Sequence, residues 1–163
     1  MELRERCQRV KLLLMDCDGV LTDGRLYFSE QGEELKAFHV RDGQGIVNWH
    51  NAGFRSGIIS GRNSPIVAVR AKELGIDFVL QGRNKKVSAF NEILAAANIA
   101  ADEVAYIGDD MPDADVMPLV GLAAAVGDAH ATAKAAAHYI TRLDGGRGAV
   151  RELIDLLLES KKV

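Results

Sequence analysis

Residues 12–24 read Leu-Leu-Leu-Met-Asp-Cys-Asp-Gly-Val-Leu-Thr-Asp-Gly, an apolar run that ends on two carboxylates one residue apart. The apolar part is too short for a typical helix and suits a strand that is buried on both faces. Because residues i and i+2 of an extended segment point the same way, Asp16 and Asp18 would face one site and Cys17 would face the interior. Gly19 would let the backbone approach a ligand closely. An isolated pair of this kind is typical of a solvated strand end, so the rest of the chain decides between the two interpretations.

The composition is that of an ordinary globular protein. The chain has 163 residues, of which 48% are hydrophobic and 26% are charged, and this length suggests one domain over 1–163. A net charge of −3 gives no reason to expect a nucleic acid or an anionic membrane as partner. We expect a cytoplasmic location, because no apolar run is long enough for a bilayer and the charged N-terminus leads into no signal-peptide core. Cys7 and Cys17 belong to no Cys-x-x-Cys pair, so we expect reduced thiols and no zinc site.

Strand-like and helix-like segments alternate along most of the chain. Strands are predicted at 11–17, 55–59, 76–80, 103–107, 121–126 and 138–141, and helices at 46–51, 65–74, 85–98, 111–119, 130–137 and 149–159. Residues 41–45, Arg-Asp-Gly-Gln-Gly, are predicted to form a loop. Such alternation favours an α/β fold of three α/β/α layers, Rossmann-like, around a mainly parallel sheet.

The segment from about 22 to 42 departs from this alternation. Two β-prone runs flank a turn at Gly32, which predicts a β-hairpin. Leu26, Tyr27 and Phe28 are adjacent, so apolar side chains would lie on both faces of the hairpin. A hairpin of this kind needs cover on both sides, and we therefore expect it to pack against another subunit.

Polar residues follow several predicted strands at the point where each strand ends. They are Asp16 and Asp18 after the first strand, Ser60, Gly61 and Arg62 after the second, Lys86 after the third, and Asp109, Asp110 and Asp113 after the fourth. Singly, each has an ordinary structural explanation as a helix cap, a turn residue or a solvated charge. Their joint occurrence at one edge of a parallel sheet favours a site, because ligands bind in the crevice outside these ends.

The residue types at this edge are those of a phosphoryl-transfer site. Clustered carboxylates repel one another and need a compensating charge, which Lys86 supplies in part. Mg²⁺ prefers oxygen ligands and binds through one or two carboxylates plus substrate phosphate. A divalent cation, a Lys, a Ser and Gly-rich backbone N–H groups together stabilise a phosphoryl group in transfer.

These motifs resemble those of the haloacid dehalogenase superfamily: Asp-x-Asp-Gly-x after the first strand, a Ser after the second, a Lys, and Gly-Asp-Asp with a further acid. Within it, the chain looks like the 3-deoxy-D-manno-octulosonate 8-phosphate phosphatase family. The matching segments are Asp-Gly-Val-Leu-Thr-Asp-Gly at 18–24, Val-Arg-Asp-Gly at 40–43, Ile-Ile-Ser-Gly-Arg at 58–62, Tyr-Ile-Gly-Asp-Asp at 106–110 and Gly-Gly-Arg-Gly-Ala-Val-Arg-Glu at 145–152. The resemblance implies a homotetramer with a projecting β-hairpin in place of a cap domain.

The resemblance also implies roles for individual residues. Asp16 would be the nucleophile that forms an aspartyl-phosphate, and Asp18 the general acid and base. Mg²⁺ would be held by Asp16, the backbone carbonyl of Asp18, and Asp109, while Ser60 and Lys86 would hold phosphoryl oxygens. Asp110 and Asp113 would orient metal-bound waters and Lys86.

The substrate-binding residues and the substrate follow from the same resemblance. Arg62 and Arg70 are candidates for gripping the carboxylate of a sugar-acid phosphate, and Gly61 is a further substrate-binding candidate. The expected reaction is Mg²⁺-dependent hydrolysis of 3-deoxy-D-manno-octulosonate 8-phosphate, in lipopolysaccharide precursor synthesis.

Three alternatives remain open at this point. The first is the same chemistry on N-acetylneuraminate 9-phosphate or its deaminated analogue. The second is a non-catalytic oligomerisation module, like the C-terminal domain of some sialate cytidylyltransferases. The third is a receiver-type phosphoacceptor module, which the order of the acidic residues and the Lys along the chain argues against.

Overall fold

A six-stranded parallel sheet flanked by helices forms the centre of the structure, a computed structural model that describes residues 1–162 apart from the side chain of Glu34. Val163 lies outside the described residues. In chain order the elements are α1 (Leu3–Arg9), β1 (Leu12–Met15), β2 (Tyr27–Ser29), β3 (Gly32–Leu35), α2 (Val40–Asn51), β4 (Arg55–Ile59), α3 (Pro65–Leu74), β5 (Phe78–Leu80), α4 (Lys86–Ala97), β6 (Val104–Gly108), α5 (Met111–Ala114), β7 (Leu122–Ala125), α6 (Ala131–Ala136), β8 (Tyr139–Ile140) and α7 (Ala149–Ser160).

The strand order of the sheet is β5-β4-β1-β6-β7-β8, and every neighbouring pair is parallel. The three-layer α/β/α fold predicted from the sequence is therefore confirmed. The chain moves outward from β1 to β4 and β5, then returns to the other side of β1 with β6. This reversal places β1 beside the point where the strand order switches, which is where open α/β sheets bind ligands.

The central strands are buried on both faces, as their unbroken apolar sequences predict. All four residues of β1 are fully buried, and so are Val104 to Ile107 in β6. Cys7 and Cys17 are free thiols that are fully buried in the same core. The expectation that Cys17 faces the interior is thus confirmed.

The prediction of a loop at 41–45 is wrong, because α2 begins at Val40 and includes those residues. Gly43 and Gly45 lie on its buried face, where α2 packs against α3 and α7. A Cβ on Gly45 would lie only 3.2 Å from Cα of Arg151 in α7. Asp42 accepts a hydrogen bond from the Arg151 backbone N–H at 2.9 Å and so caps the start of α7. The glycines that suggested a loop instead permit two helices to approach closely.

The predicted hairpin is present but shorter than the segment 22–42. Strands β2 and β3 pair antiparallel through Tyr27 with Leu35, Phe28 with Glu33, and Ser29 with Gly32. The hairpin forms a separate two-stranded sheet.

Within residues 1–162, none of the helices combines the length and the apolar character that crossing a membrane requires.

Candidate active site

Three adjacent strands deliver the polar residues of the site to one edge of the sheet. β1 lies between β4 and β6 in the sheet. Asp16 follows the last residue of β1, Ser60 follows β4, and Asp109 follows β6. Because all three strands run parallel, their carboxyl ends meet at the same edge, as the sequence predicted.

Asp16 is held at this edge by two donors. Its Oδ1 accepts a hydrogen bond from the backbone N–H of Cys17 at 2.7 Å, and its Oδ2 lies 3.0 Å from Nζ of Lys86. Only 8% of Asp16 is exposed. Lys86 is buried at the start of α4, whereas the adjacent Lys85 is exposed, so Lys86 is the lysine that reaches the carboxylates.

Asp113 organises the neighbouring groups through four hydrogen bonds. Its Oδ1 accepts from Nζ of Lys86 and from the hydroxyl of Tyr106, both at 2.6 Å. Its Oδ2 accepts from the backbone N–H groups of Asp109 at 2.9 Å and Asp110 at 3.1 Å. With its oxygens used in this way, Asp113 fixes Lys86 and the start of α5. Asp110 is exposed, and its carboxylate caps α5 by accepting from the Met111 N–H.

Asp109 has the features of a cation ligand. Its Oδ1 is buried and has no hydrogen-bond partner among residues 1–162. Oxygens of Asp16, Asp109 and Asp113 lie within 4.8 Å of one another. The Asp109 carboxylate rests against Gly19, whose φ is +88° and where any Cβ would collide with it. A buried oxygen without a donor, beside a second carboxylate, fits a hard divalent cation such as Mg²⁺.

The electrostatics of the cluster lead to the same conclusion. Burial, together with the charge of Asp113, raises the pKa of Asp16 to about 6. Burial and the charges of Asp16 and Asp113 raise the pKa of Asp109 to about 8. Burial alone would raise the pKa of Asp113, but Lys86 and the Tyr106 hydroxyl hold it below its usual value. Protein groups thus compensate the charge of Asp113, whereas Asp16 and Asp109 lack enough positive charge nearby.

A cleft of about 240 Å³ opens over these groups. Eight residues that the sequence singled out line it: Asp16, Asp18, Ser60, Gly61, Arg62, Lys86, Asp109 and Asp110. Asp113 is buried and reaches the cleft through its contact with Lys86. Arg83 and Asn84 also line it. Neither residue was expected at the site from the sequence, although their place after β5 was a usable signal.

The structure does not bring Arg70 to this cleft. Arg70 lies on α3, where its Nη1 pairs with Glu73 at 2.9 Å and its guanidinium lies 5.7 Å from the centre of the Phe38 ring. Its role as a substrate ligand therefore finds no support in the geometry of one chain.

The hairpin contributes a side chain that the sequence analysis missed. Nζ of Lys36 lies 2.5 Å from Oδ1 of Asp18 and 2.7 Å from Oε1 of Glu33. Only 1% of the Lys36 side chain is exposed. A lysine just beyond a short hairpin strand is typical of a solvated charge, so the sequence carried no signal for this contact.

Comparisons with known proteins agree on one family. The haloacid dehalogenase-like hydrolase family matches residues 59–153. The 3-deoxy-D-manno-octulosonate 8-phosphate phosphatase of Yersinia pestis is 48% identical over 154 residues, which cover 94% of this chain and 82% of the relative.

Solved structures of related proteins are similar over nearly the whole chain. The phosphatase of the same name from Moraxella catarrhalis, in complex with a magnesium ion, a phosphate ion and the sugar acid, has a TM-score of 0.94. It is 38% identical, with 97% of this chain and 91% of that chain covered. The cobalt-bound phosphatase from Haemophilus influenzae has a TM-score of 0.93 at 38% identity, with 96% and 91% covered.

Proposed function

The chain belongs to the 3-deoxy-D-manno-octulosonate 8-phosphate phosphatase family of haloacid dehalogenase-like hydrolases, and we propose that it hydrolyses this ester to the free sugar acid and phosphate. The observation that carries the proposal is the cluster of Asp16, Lys86, Asp109 and Asp113 at the floor of an open cleft. The reaction belongs to lipopolysaccharide precursor synthesis.

Asp16 is the proposed nucleophile. One of its oxygens attacks phosphorus, the bond from phosphorus to the sugar oxygen breaks, and an aspartyl-phosphate forms. The Cys17 N–H and Lys86 fix the carboxylate at the end of β1, so the attacking group is held in place before the substrate binds.

Asp18 is the proposed general acid and base. It donates a proton to the departing sugar oxygen, and then takes a proton from the water that attacks the aspartyl-phosphate. Its place two residues after Asp16, on the wall of the same cleft, supports this role. Ser60 and Lys86 donate hydrogen bonds to the phosphoryl oxygens, and Lys86 also offsets carboxylate charge.

Asp16, Asp109 and the backbone carbonyl of Asp18 are the residues that would hold Mg²⁺. When bound, the cation neutralises charge on the phosphoryl oxygens and orients the phosphate. Asp113 and Asp110 keep Lys86 and the loop that carries Asp109 in position. The orphaned Oδ1 of Asp109 supports this assignment.

Arg62 is the residue of this chain best placed to bind the carboxylate of the sugar acid. Its side chain is 46% exposed and lines the cleft beside Gly61. An arginine in this position grips a carboxylate with two parallel hydrogen bonds. N-acetylneuraminate 9-phosphate presents the same two groups, a carboxylate and a phosphate, so it is the substrate to test in parallel.

Phosphate release is the direct test of the proposed reaction. We expect Mg²⁺-dependent release from 3-deoxy-D-manno-octulosonate 8-phosphate, at a higher kcat/KM than from N-acetylneuraminate 9-phosphate. Asp16→Asn should reduce the rate to background without lowering the melting temperature, because it removes the nucleophile and keeps the side-chain volume.

Two results would contradict these assignments. Full activity of Asp16→Asn would rule out Asp16 as nucleophile. Preference for N-acetylneuraminate 9-phosphate by the unsubstituted chain would keep the mechanism and reject the proposed substrate.

A further inference from the structure

The hairpin reaches the reacting groups through Lys36. The Lys36 side chain is almost wholly buried although it directly follows Leu35, which is exposed. Its Nζ is 2.5 Å from Oδ1 of Asp18. Burying an ammonium group is costly unless the charge is paired and hydrogen-bonded, so this contact is a specific feature of the fold and not a surface ion pair.

The two oxygens of Asp18 have different surroundings. Oδ1 is occupied by Lys36, whereas Oδ2 faces Arg62 at 3.9 Å. Both Asp18 and Arg62 line the cleft. Lys36 therefore fixes the rotation of the carboxyl group and leaves Oδ2 on the side of Arg62.

Lys36 is itself anchored at a second point. Its Nζ lies 2.7 Å from Oε1 of Glu33, and Oε2 of Glu33 accepts a hydrogen bond from the Ser64 hydroxyl at 2.7 Å. Ser64 is buried and directly precedes α3. Successive contacts thus join Ser64 to Glu33, Glu33 to Lys36 and Lys36 to Asp18, and they attach the hairpin to the loops that follow β4 and β1.

We propose that Lys36 is a positioning residue that orients the Asp18 carboxyl group for proton transfer to the departing sugar oxygen. This inference rests on the proposed function, because it assigns Lys36 a part in the step that Asp18 carries out. A purely structural alternative is that Lys36 only fastens the hairpin, and the two roles predict different kinetics.

The distinguishing measurement compares two phosphate esters. A sugar alkoxide needs a proton as it departs, whereas p-nitrophenolate leaves as a stable anion and depends little on a general acid. We expect Lys36→Met to lower kcat for the sugar-acid phosphate at least about 10-fold more than kcat for p-nitrophenyl phosphate. Asp18→Asn serves as the reference. It should lower kcat for the sugar-acid phosphate relative to kcat for p-nitrophenyl phosphate by a larger factor than Lys36→Met does.

Further variants separate charge from folding. Lys36→Arg keeps the positive charge and should restore part of the lost kcat for the sugar-acid phosphate. Should Lys36→Met fail to melt cooperatively, Lys36→Gln, which keeps an N–H donor, is used to measure the same ratio. Glu33→Gln should lower the ratio of kcat for the sugar-acid phosphate to kcat for p-nitrophenyl phosphate less than Lys36→Met does, since Lys36 keeps its contact with Asp18.

The outcomes separate this inference from the proposed function. Equal loss for both esters, or no loss for either, would overturn the positioning role while leaving the proposed function intact. If the unsubstituted chain releases phosphate from neither ester, the proposed function fails, and the inference fails with it.

Discussion

At the scale of single residues, Asp16 and Asp109 are two neighbouring carboxylates whose charge Lys86 offsets in part. Burial and the charge of Asp113 raise the pKa of Asp16 to about 6, and burial with the charges of Asp16 and Asp113 raises the pKa of Asp109 to about 8. We expect Mg²⁺ to raise the melting temperature of the metal-free chain, because a cation that binds only the folded carboxylates stabilises the fold by mass action.

Asp109→Asn should remove this response to Mg²⁺. The variant should melt at or above the temperature of the metal-free unsubstituted chain, since one repelling charge is gone. Asp115→Asn is the matched control, because Asp115 is an exposed carboxylate that follows α5 and is not among the residues that line the cleft. A Mg²⁺ response that persists in Asp109→Asn, or that is lost in Asp115→Asn, would contradict the assignment.

Some site residues could be predicted from the sequence because they follow strands directly, whereas others are placed by contacts between distant parts of the chain. Asp16, Asp18 and Asp109 follow buried apolar strands directly, so the strand pattern alone predicts that they meet. Lys36 and the Tyr106 hydroxyl depend on tertiary contacts, with Asp18 and Asp113 respectively. No local pattern encodes these contacts. Arg70 is the converse case. Arginine is suited to binding the carboxylate of the substrate, but the guanidinium of Arg70 lies against the Phe38 ring instead.

At the scale of elements, the largest departure from the sequence prediction is α2, which begins at Val40 and not at Ile46. Glycine is a poor helix former, so Gly43 and Gly45 suggested a loop. Helix contacts override this preference, because Gly43 faces Arg70 and Leu74 of α3 and Gly45 faces Arg151 of α7, each at a distance that leaves little room for a Cβ.

Gly45→Val should therefore destabilise the fold by about 1–3 kcal/mol through overpacking against α7. The new Cβ would meet the backbone of Arg151, which cannot move aside as a flexible side chain can. Gln44→Val, at the adjacent exposed position of α2, should change the free energy of unfolding by less than about 0.5 kcal/mol. Urea titrations of both variants give the comparison, and similar small effects would show that the helix contact tolerates a side chain.

At the scale of the whole molecule, the hairpin leaves apolar surface that one chain does not cover. Leu26, Tyr27, Phe28 and Leu35 are 40–58% exposed and adjacent in the hairpin. Contiguous exposed apolar surface of this kind marks an interaction site. The same hairpin carries Lys36 to Asp18 and places the Phe28 ring 5.7 Å from the Arg62 guanidinium. We propose that hairpins of several copies cover one another and that the chain forms a homotetramer.

Light scattering at micromolar concentration tests the assembly. The unsubstituted chain should have four times the chain mass of 17.6 kDa. Leu35→Glu should shift the mass toward the single chain, because an unpaired carboxylate in an apolar interface costs several kcal/mol. Val69→Glu is the matched control, since Val69 is 70% exposed and belongs to α3 and not to the hairpin. An unsubstituted chain at 17.6 kDa would reject the tetramer. Equal dissociation by both variants would place the interface elsewhere.

If Leu35→Glu dissociates the assembly and also lowers the rate of phosphate release, then the hairpin contributes to catalysis only while neighbouring copies hold it in place.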